Sequence, residues 1–356
     1  MSHTMNRRKA LATGASSAAM FTGISCSDTE QVADRSPDKD SLDFLTPWSP
    51  PPVLERDLTP GSTSIRLCSW SGKTTLDYPR EISITELVKR IRDAGFTAGN
   101  ATGPREGRNP WNTASEAEIR ELKDALETYD VFFFDMHTYA NNIHPDLEQR
   151  SKNHRYVIEQ CEAAERVGCP MITTHLGTRS GEQPITIHRD NFTMETWALA
   201  VKTIRQLLSD TAGMKVAFGI EAVNLTCMNN PRAHRQLIDE VGDPRLKVVL
   251  DPVNMINLGT YFRTTELINE CFDLLGEDII AGHAKDTLVT PDLMSAYLTE
   301  VAAGEGTMDY ETYLVRWSRL SWPRPLLIEH LPEEKYPQAK KHIVETAAQV
   351  GVKFYG

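Results

Sequence analysis

The sequence lacks the features that mark disulfide-rich and nucleic-acid-binding proteins. Its six cysteines include no Cys-x-x-Cys pair and no zinc-knuckle spacing, so neither a disulfide framework nor a structural zinc site is indicated. Basic residues are few, with 38 Lys and Arg against 49 Asp and Glu, and the net charge of −11 would repel phosphate backbones. No Gly-x-Gly-x-x-Gly loop follows the first predicted strand, which argues against a dinucleotide-binding fold. The remaining composition, 40% hydrophobic and 24% charged, is typical of a globular enzyme.

The N-terminal segment has the layout of an export signal. A basic Arg-Arg-Lys run precedes a mildly apolar stretch, residues 11–24, which is too short to span a bilayer. The paired arginines resemble a twin-arginine signal, so we expect such a signal peptide over residues 1–26 and export to the periplasm. Two outcomes stay open: simple cleavage, or a lipid anchor on Cys26 that would give a membrane-anchored lipoprotein.

The body of the chain alternates between short apolar runs and longer segments of helical periodicity. Residues 27–62 are polar and proline-rich and predict a linker, whereas the alternation begins at residue 63. The predicted strands are 64–70, 97–102, 131–137, 171–177, 215–223, 246–254, 279–286 and 325–331. Eight strand-then-helix units indicate the α/β class and a single (β/α)8 TIM barrel domain over 63–356. The alternative is an open doubly wound sheet.

Each of the last four predicted strands carries one polar residue near its carboxyl end. These residues are Glu221, Asp251, His283 and Glu329. Each is separated from the next by about one strand-helix unit, and a long predicted loop at 287–308 lengthens the last interval. Barrel enzymes have their active sites at the carboxyl ends of the strands. Converging carboxylates repel one another unless a divalent cation joins them. Three carboxylates and one imidazole therefore predict a site for one divalent metal ion: Mn²⁺, Mg²⁺ or Co²⁺, with Zn²⁺ also suitable.

Further polar residues at the same strand ends are candidates for binding substrate. His137 and His175 end the third and fourth strands, and each either contacts substrate or is a packed histidine. Asn254 lies three residues after Asp251 and either supports the site or caps a turn. Lys285 lies two residues after His283 and either contacts a substrate oxygen or is solvated beside Asp286.

The segments GIEAV, VVLDPVNM, GHAKD, GEGTMDY and LIEH, in this order and spacing, resemble the xylose isomerase-like TIM barrel superfamily, in its sugar phosphate isomerase/epimerase family. The resemblance implies that Glu221, Asp251, His283 and Glu329 bind one metal ion, Mn²⁺ before the others. It also implies that Glu221 and Glu329 form a catalytic acid–base pair. The implied activity is sugar isomerisation or epimerisation, in which a proton is abstracted next to a metal-bound carbonyl through an enediolate. Family members are often dimers or tetramers, so a homo-oligomer is expected.

Departures from the family leave the reaction open. Ketose 3-epimerases carry Glu, His and Arg where this chain has Cys227, Asn254 and Val289, which argues against a free ketohexose. One alternative is a metal-dependent lyase or hydrolase of 3-keto-glycosides, and another is a non-catalytic sugar-binding lipoprotein. Phosphodiester cleavage by a three-zinc cluster is not indicated, because Asn254 replaces a histidine that this cluster needs. The expected partner is a small carbohydrate or polyol and not a nucleic acid.

Overall fold

The structure is a computed structural model, and it describes part of the chain. The described residues are 55–79, 81–102, 104, 108–182, 185–290 and 296–356. The predicted signal peptide, Cys26 and most of the predicted linker lie outside them, so these assignments stay predictions. Within the described part, no helix combines the length and the apolar character that crossing a membrane requires.

The chain forms parallel strands that close almost completely into a barrel. The strands are β1 (Arg66–Ser69), β2 (Ala98–Thr102), β3 (Phe132–His137), β4 (Met171–Thr174), β5 (Ala217–Glu221), β6 (Leu246–Leu250), β7 (Ile279–Ala284), β8 (Asp286–Val289), β9 (Leu298–Val301) and β10 (Pro325–Ile328). All except β8 and β9 pair in the order β1-β10-β7-β6-β5-β4-β3-β2. Near the open seam, the backbone N–H of Thr97 donates to the carbonyl of Leu67 at 3.0 Å. The predicted TIM barrel is confirmed.

Helices follow the barrel strands on the outside, as predicted. They are α1 (Ile84–Asp93), α2 (Glu116–Thr128), α3 (Leu147–Val167), α4 (Met194–Asp210), α5 (Pro231–Val241), α6 (Thr264–Leu275), α7 (Tyr310–Ser318) and α8 (Tyr336–Gln349). Local sequence fixes several of their ends. The Ser115 side chain accepts from the N–H of Glu118 at the start of α2, and the Glu118 carboxylate accepts from Ser115 in return. α5 begins at Pro231, capped by Asn230, and is terminated after Val241 by Gly242, whose φ of 73° suits glycine.

The segment after β7 contains a hairpin that the sequence did not predict. β8 and β9 pair antiparallel, with Asp286 opposite Val301. All of this hairpin except Asp286 lies in the segment 287–308 that is predicted to be a loop. The loop interpretation was wrong for these residues. Each of the two strands has only four residues. Such short runs give little periodicity, and only their mutual pairing reveals them. The hairpin brings Glu300 close to the ends of β7 and β10.

An apolar layer fills the inside of the ring of strands. It consists of Cys68, Ala98, Phe134, Met171, Val249, Ala281 and Leu327. Successive strand residues point to opposite faces, so the residue two positions further on also points inward, one layer nearer the carboxyl ends. Two positions beyond Val249, Ala281 and Leu327, the chain carries three of the four predicted metal ligands. These ligands therefore lie one layer above the apolar layer, towards the carboxyl ends of the strands.

One histidine of α5 is buried without a hydrogen-bond partner among the described residues. His234 is 1% exposed, and neither of its ring nitrogens is bonded. Burial lowers its pKa to about 3, from 6.5 in an open chain. The folded chain therefore holds this residue neutral at pH values where the unfolded chain protonates it. Its contribution to stability is present above pH 6.5 and is lost as the pH falls towards 3.

Replacing His234 with Leu should make folding less sensitive to acid. Between pH 6.5 and 5, we expect this residue to account for a loss of up to about 1.4 kcal/mol of unfolding free energy per pH unit. Urea denaturation of both proteins at pH 7 and pH 5 measures the effect. The wild type should lose more stability than His234→Leu over this interval, and equal losses would contradict the assignment.

Candidate metal centre

The four predicted metal ligands meet at the carboxyl ends of β5, β6, β7 and β10. One ligand atom from each of Glu221, Asp251, His283 and Glu329 lies within 4.8 Å of the others. His283 Nδ1 is 3.1 Å from Glu221 Oε1, 3.4 Å from Asp251 Oδ2 and 2.9 Å from Glu329 Oε1. All four residues are at most 3% exposed. The structure thus brings together, in a buried cluster, side chains from four neighbouring strands.

The unsatisfied atoms of this cluster fit a divalent cation. Asp251 Oδ2 and both carboxylate oxygens of Glu329 are buried and lack a hydrogen bond of good geometry among the described residues. His283 and Lys285 offset part of the cost of burying these oxygens, and a divalent cation would offset it further. Carboxylate oxygens and one imidazole are ligands that Mn²⁺, Mg²⁺, Co²⁺ and Zn²⁺ accept. The residues present therefore fit a single divalent metal ion.

Lys285 is buried against the same cluster. Its Nζ lies 2.6 Å from Asp251 Oδ2 and 2.9 Å from Glu329 Oε1, and its side chain is 1% exposed. Asp286 faces the other way and accepts backbone N–H groups of residues 304, 306 and 308 at 2.9–3.1 Å. The interpretation of Lys285 as a solvated lysine beside Asp286 is therefore wrong. Its contact with substrate stays a prediction.

The charges within the cluster stabilise one another. Burial by itself would raise the pKa of Glu329, but the charges of His283 and Lys285 hold that pKa well below its usual value. Burial would likewise lower the pKa of each of these two bases, but the surrounding carboxylates hold both pKa values well above their usual range. Burial would also raise the pKa of Glu221, and His283 lowers it. Each charged group therefore depends on the others to remain ionised in a buried site.

Asn254 connects three members of the cluster. Its side-chain Nδ2 donates to Glu221 Oε1 at 2.6 Å, and its Oδ1 accepts from Lys285 Nζ at 3.2 Å. Its backbone N–H donates to Asp251 Oδ1 at 3.2 Å, which is also the geometry of a turn cap. The Asp251 side chain therefore caps the turn after β6, whereas the Asn254 side chain orients the ligand residue of β5. Its assignment as a substrate-binding residue stays a prediction.

The two predicted histidines lie on the Glu221 side of the cluster. His175 Nδ1 is 3.7 Å from Glu221 Oε2, and its ring stacks on Tyr139 with centroids 4.4 Å apart. Burial lowers the pKa of His175. His137 is fully buried, with Nε2 3.0 Å from Asp135 Oδ2 and Nδ1 3.2 Å from the Tyr139 hydroxyl. His175 therefore faces Glu221 directly, whereas His137 reaches Glu221 through Tyr139 and stacks on His283, with ring centroids 6.2 Å apart.

Asp135 and Tyr139 are site residues that the sequence interpretation missed. The pairing of β2 with β3 shifts after Gly99, so one extra residue of β3 lies opposite β2. Such a bulge re-aims side chains, and it directs Asp135 inward next to the inward-facing Phe134. Tyr139 could have been found, because it follows His137 by two positions and continues the same face. The bulge itself leaves no signal in the sequence.

The rim above the cluster is aromatic and partly acidic. The Trp70 ring lies 4.5 Å from the His137 ring and 5.5 Å from the His330 ring, measured between centroids. Glu300 of the hairpin is 3.1 Å from His330 Nδ1 and 3.6 Å from Lys285 Nζ. Glu300 was missed because its strand was interpreted as part of a loop. These residues place tilted aromatic rings beside charged groups next to the cluster.

The fold and the site together define a (β/α)8 barrel whose carboxyl-end mouth carries a histidine–carboxylate cluster able to hold a metal ion. The sequence pattern of the xylose isomerase-like TIM barrel family matches residues 88–346. This chain therefore belongs to that family.

Solved structures of similar fold include sugar epimerases. A D-tagatose 3-epimerase-like protein is 15% identical and covers 81% of this chain and 98% of its own, with a TM-score of 0.58. A xylose isomerase-like protein from Mycobacterium smegmatis in complex with magnesium is 13% identical, covering 81% and 97%, with a TM-score of 0.55. The 3-keto-D-glucoside 4-epimerase of E. coli is 15% identical, covering 80% and 100%, with a TM-score of 0.52. These identities show the fold, and no curated protein sequence matches the chain.

Proposed function

We propose that this protein is a metal-dependent sugar epimerase or isomerase that moves a proton on a carbon next to a carbonyl group. The observation that carries the proposal is the convergence of Glu221 and Glu329, from β5 and β10, on a buried site shared with Asp251 and His283. Two carboxylates from different strands can approach a bound sugar from different sides. That arrangement suits removal of a proton from one face and its return to the other.

The residues of the chain have distinct parts in this chemistry. Glu221, Asp251, His283 and Glu329 would hold the metal ion, which supplies an electrophile that polarises the substrate carbonyl. The glutamates take up and return the carbon-bound proton. Lys285, which lies 2.9 Å from Glu329 Oε1, places a positive charge where negative charge develops on a substrate oxygen. The buried site above the apolar layer strengthens these interactions by excluding water.

The charge of the site favours an uncharged carbohydrate. Among the described side chains with contacts in this cluster, Lys285 is the one cation besides histidine, while Asp135 and Glu300 add negative charge. A phosphorylated sugar would be repelled. The departures at Cys227 and Val289 argue against a free ketohexose, and a 3-keto-glucoside epimerase is among the proteins of similar fold. We therefore favour keto-glycosides, and the predicted export signal agrees with a substrate met outside the cytoplasm.

A lyase or hydrolase of 3-keto-glycosides is the second candidate. It would use the same proton abstraction, but the resulting negative charge would expel the group on the neighbouring carbon. The same cluster serves both reactions. The products distinguish them, because an epimerase returns a glycoside of unchanged mass in H₂O and a lyase releases the aglycone.

Metal analysis followed by isotope exchange tests the proposal. Purified protein should contain about one divalent ion per chain, Mn²⁺ being the first choice by donor type. Incubation with free ketoses and with methyl 3-keto-glucosides in D₂O should introduce one deuterium beside the carbonyl, as seen by NMR and mass spectrometry. Protein that binds no divalent ion, or that binds one without exchanging any of these substrates, would refute the proposal.

A further inference from the structure

The two carboxylate oxygens of Glu221 face different surroundings. Oε1 lies 3.1 Å from His283 Nδ1 and accepts from Asn254 Nδ2 at 2.6 Å, on the side of the ligand cluster. Oε2 accepts a hydrogen bond from the Tyr139 hydroxyl at 3.1 Å. A glutamate that binds a metal ion through one oxygen can use the other as a base, provided that this second oxygen does not also bind the metal.

A buried chain of side chains fixes the Tyr139 hydroxyl. His137 Nδ1 lies 3.2 Å from it, and on the far side of the ring Nε2 lies 3.0 Å from Asp135 Oδ2. Asp135 is itself held by the Thr173 hydroxyl at 2.8 Å. His137 and Asp135 are each 1% exposed. The Tyr139 hydroxyl has one proton, which it donates to Oε2 of Glu221, so its oxygen accepts from His137 Nδ1.

We propose that Tyr139 is a positioning residue that holds Oε2 of Glu221 off the metal ion and thereby keeps it available as the base. The inference rests on the proposed function. It assigns to the Asp135–His137 pair the role of holding the tyrosine hydroxyl in its orientation. It also explains why β3, which contributes none of the four clustered ligand side chains, carries two inward polar residues, Asp135 and His137, with Tyr139 two positions beyond its end.

The test compares Tyr139→Phe with the wild type and with a matched control, Tyr78→Phe. Tyr78 also hydrogen-bonds a glutamate, Glu118, but outside the barrel. Co²⁺ is titrated into each chelator-treated protein by calorimetry and by its visible absorption. The rate of deuterium exchange is measured with the keto-sugar that the wild type labels, and thermal denaturation is followed for all three proteins.

Without the hydroxyl, Oε2 of Glu221 should bind the metal ion as an additional ligand. We expect Tyr139→Phe to bind Co²⁺ as tightly as the wild type or up to about tenfold more tightly, with altered visible absorption. Its kcat for exchange should fall about 100-fold, because a small misplacement of a catalytic group has an effect of this size, and KM should change less than threefold. Tyr78→Phe should match the wild type in Co²⁺ affinity, absorption and exchange.

A merely structural role of Tyr139 predicts a different pattern of results for Tyr139→Phe. Weaker Co²⁺ binding by Tyr139→Phe, or unchanged exchange, would overturn the inference. Should Tyr139→Phe fail to fold, His137→Gln keeps the tyrosine but loosens its hydroxyl, and about a tenfold loss of kcat without loss of Co²⁺ affinity is expected. Unchanged kcat there counts against the inference. A wild type that binds Co²⁺ but exchanges no substrate refutes the proposed function, and the Co²⁺ arm alone then decides the inference.

Discussion

Glu329→Gln should lower the rate of substrate deuterium exchange by about 10³-fold, since general acid–base catalysis contributes effects of this order. A glutamine has nearly the same shape, but its amide cannot accept a carbon-bound proton. The amide oxygen remains a metal ligand, and Glu221, Asp251 and His283 are unchanged. We therefore expect substrate to bind to Glu329→Gln in the presence of saturating Mn²⁺, as measured by calorimetry, while exchange measured by NMR nearly disappears.

Glu334→Gln is the matched control, because Glu334 is exposed and lies five residues further along the chain. It should exchange substrate at the wild-type rate. The experiment also separates an enzyme from a sugar-binding protein. Substrate binding without exchange in the wild type, or more than about a tenth of wild-type exchange in Glu329→Gln, would contradict the assignment of Glu329 as a proton-transfer group.

Lys285→Met should destabilise the chelator-treated protein by about 3–5 kcal/mol, the cost of removing one partner from a buried ion pair. The ammonium group lies within 3 Å of Asp251 and Glu329, and the side chain is 1% exposed. Methionine fills much the same volume but removes the ammonium group, so histidines are the remaining cationic neighbours of the two buried carboxylates in the described part of the chain. Urea denaturation in the presence of EDTA measures the loss.

Saturating Mn²⁺ should restore most of that stability, because the added charge neutralises the same carboxylates and ligand binding stabilises the folded state. The rise in melting temperature on adding Mn²⁺ should therefore be larger for Lys285→Met than for the wild type. Lys247→Met is the control: its 2.7 Å ion pair with Asp278 is partly exposed and should contribute no more than about 1 kcal/mol. Equal losses in the two variants would show that burial of Lys285 has no special effect.

Much of the fold could be predicted because its signals are local. Eight apolar runs, each followed by helical periodicity, required no knowledge of distant contacts. The strand ends fell within a few residues of their predicted positions. The four clustered residues were predictable for a related reason. Parallel strands end at one rim, so polar residues that recur once per strand-helix unit must come close together.

The remaining features depend on contacts between distant parts of the chain. The hairpin of β8 and β9 exists because two weak four-residue runs pair with each other. Asp135 points inward because β3 has an extra residue opposite β2. The burial of Lys285 follows from the inward direction of β7 and from two carboxylates on neighbouring strands, whereas its sequence context, next to Asp286, indicated a solvated ion pair.

The sequence by itself determined the barrel, the family and the four residues that converge at its mouth, because period, spacing and chain order carry that information. Only the tertiary structure decided how those residues are held. Strand register and a bulge set the contacts that hold them. These contacts are the hydrogen bonds of Tyr139 and Asn254 to the two oxygens of Glu221, and the position of Lys285 between Asp251 and Glu329. Side-chain direction depends on that register, which the pairing of strands distant in the sequence sets.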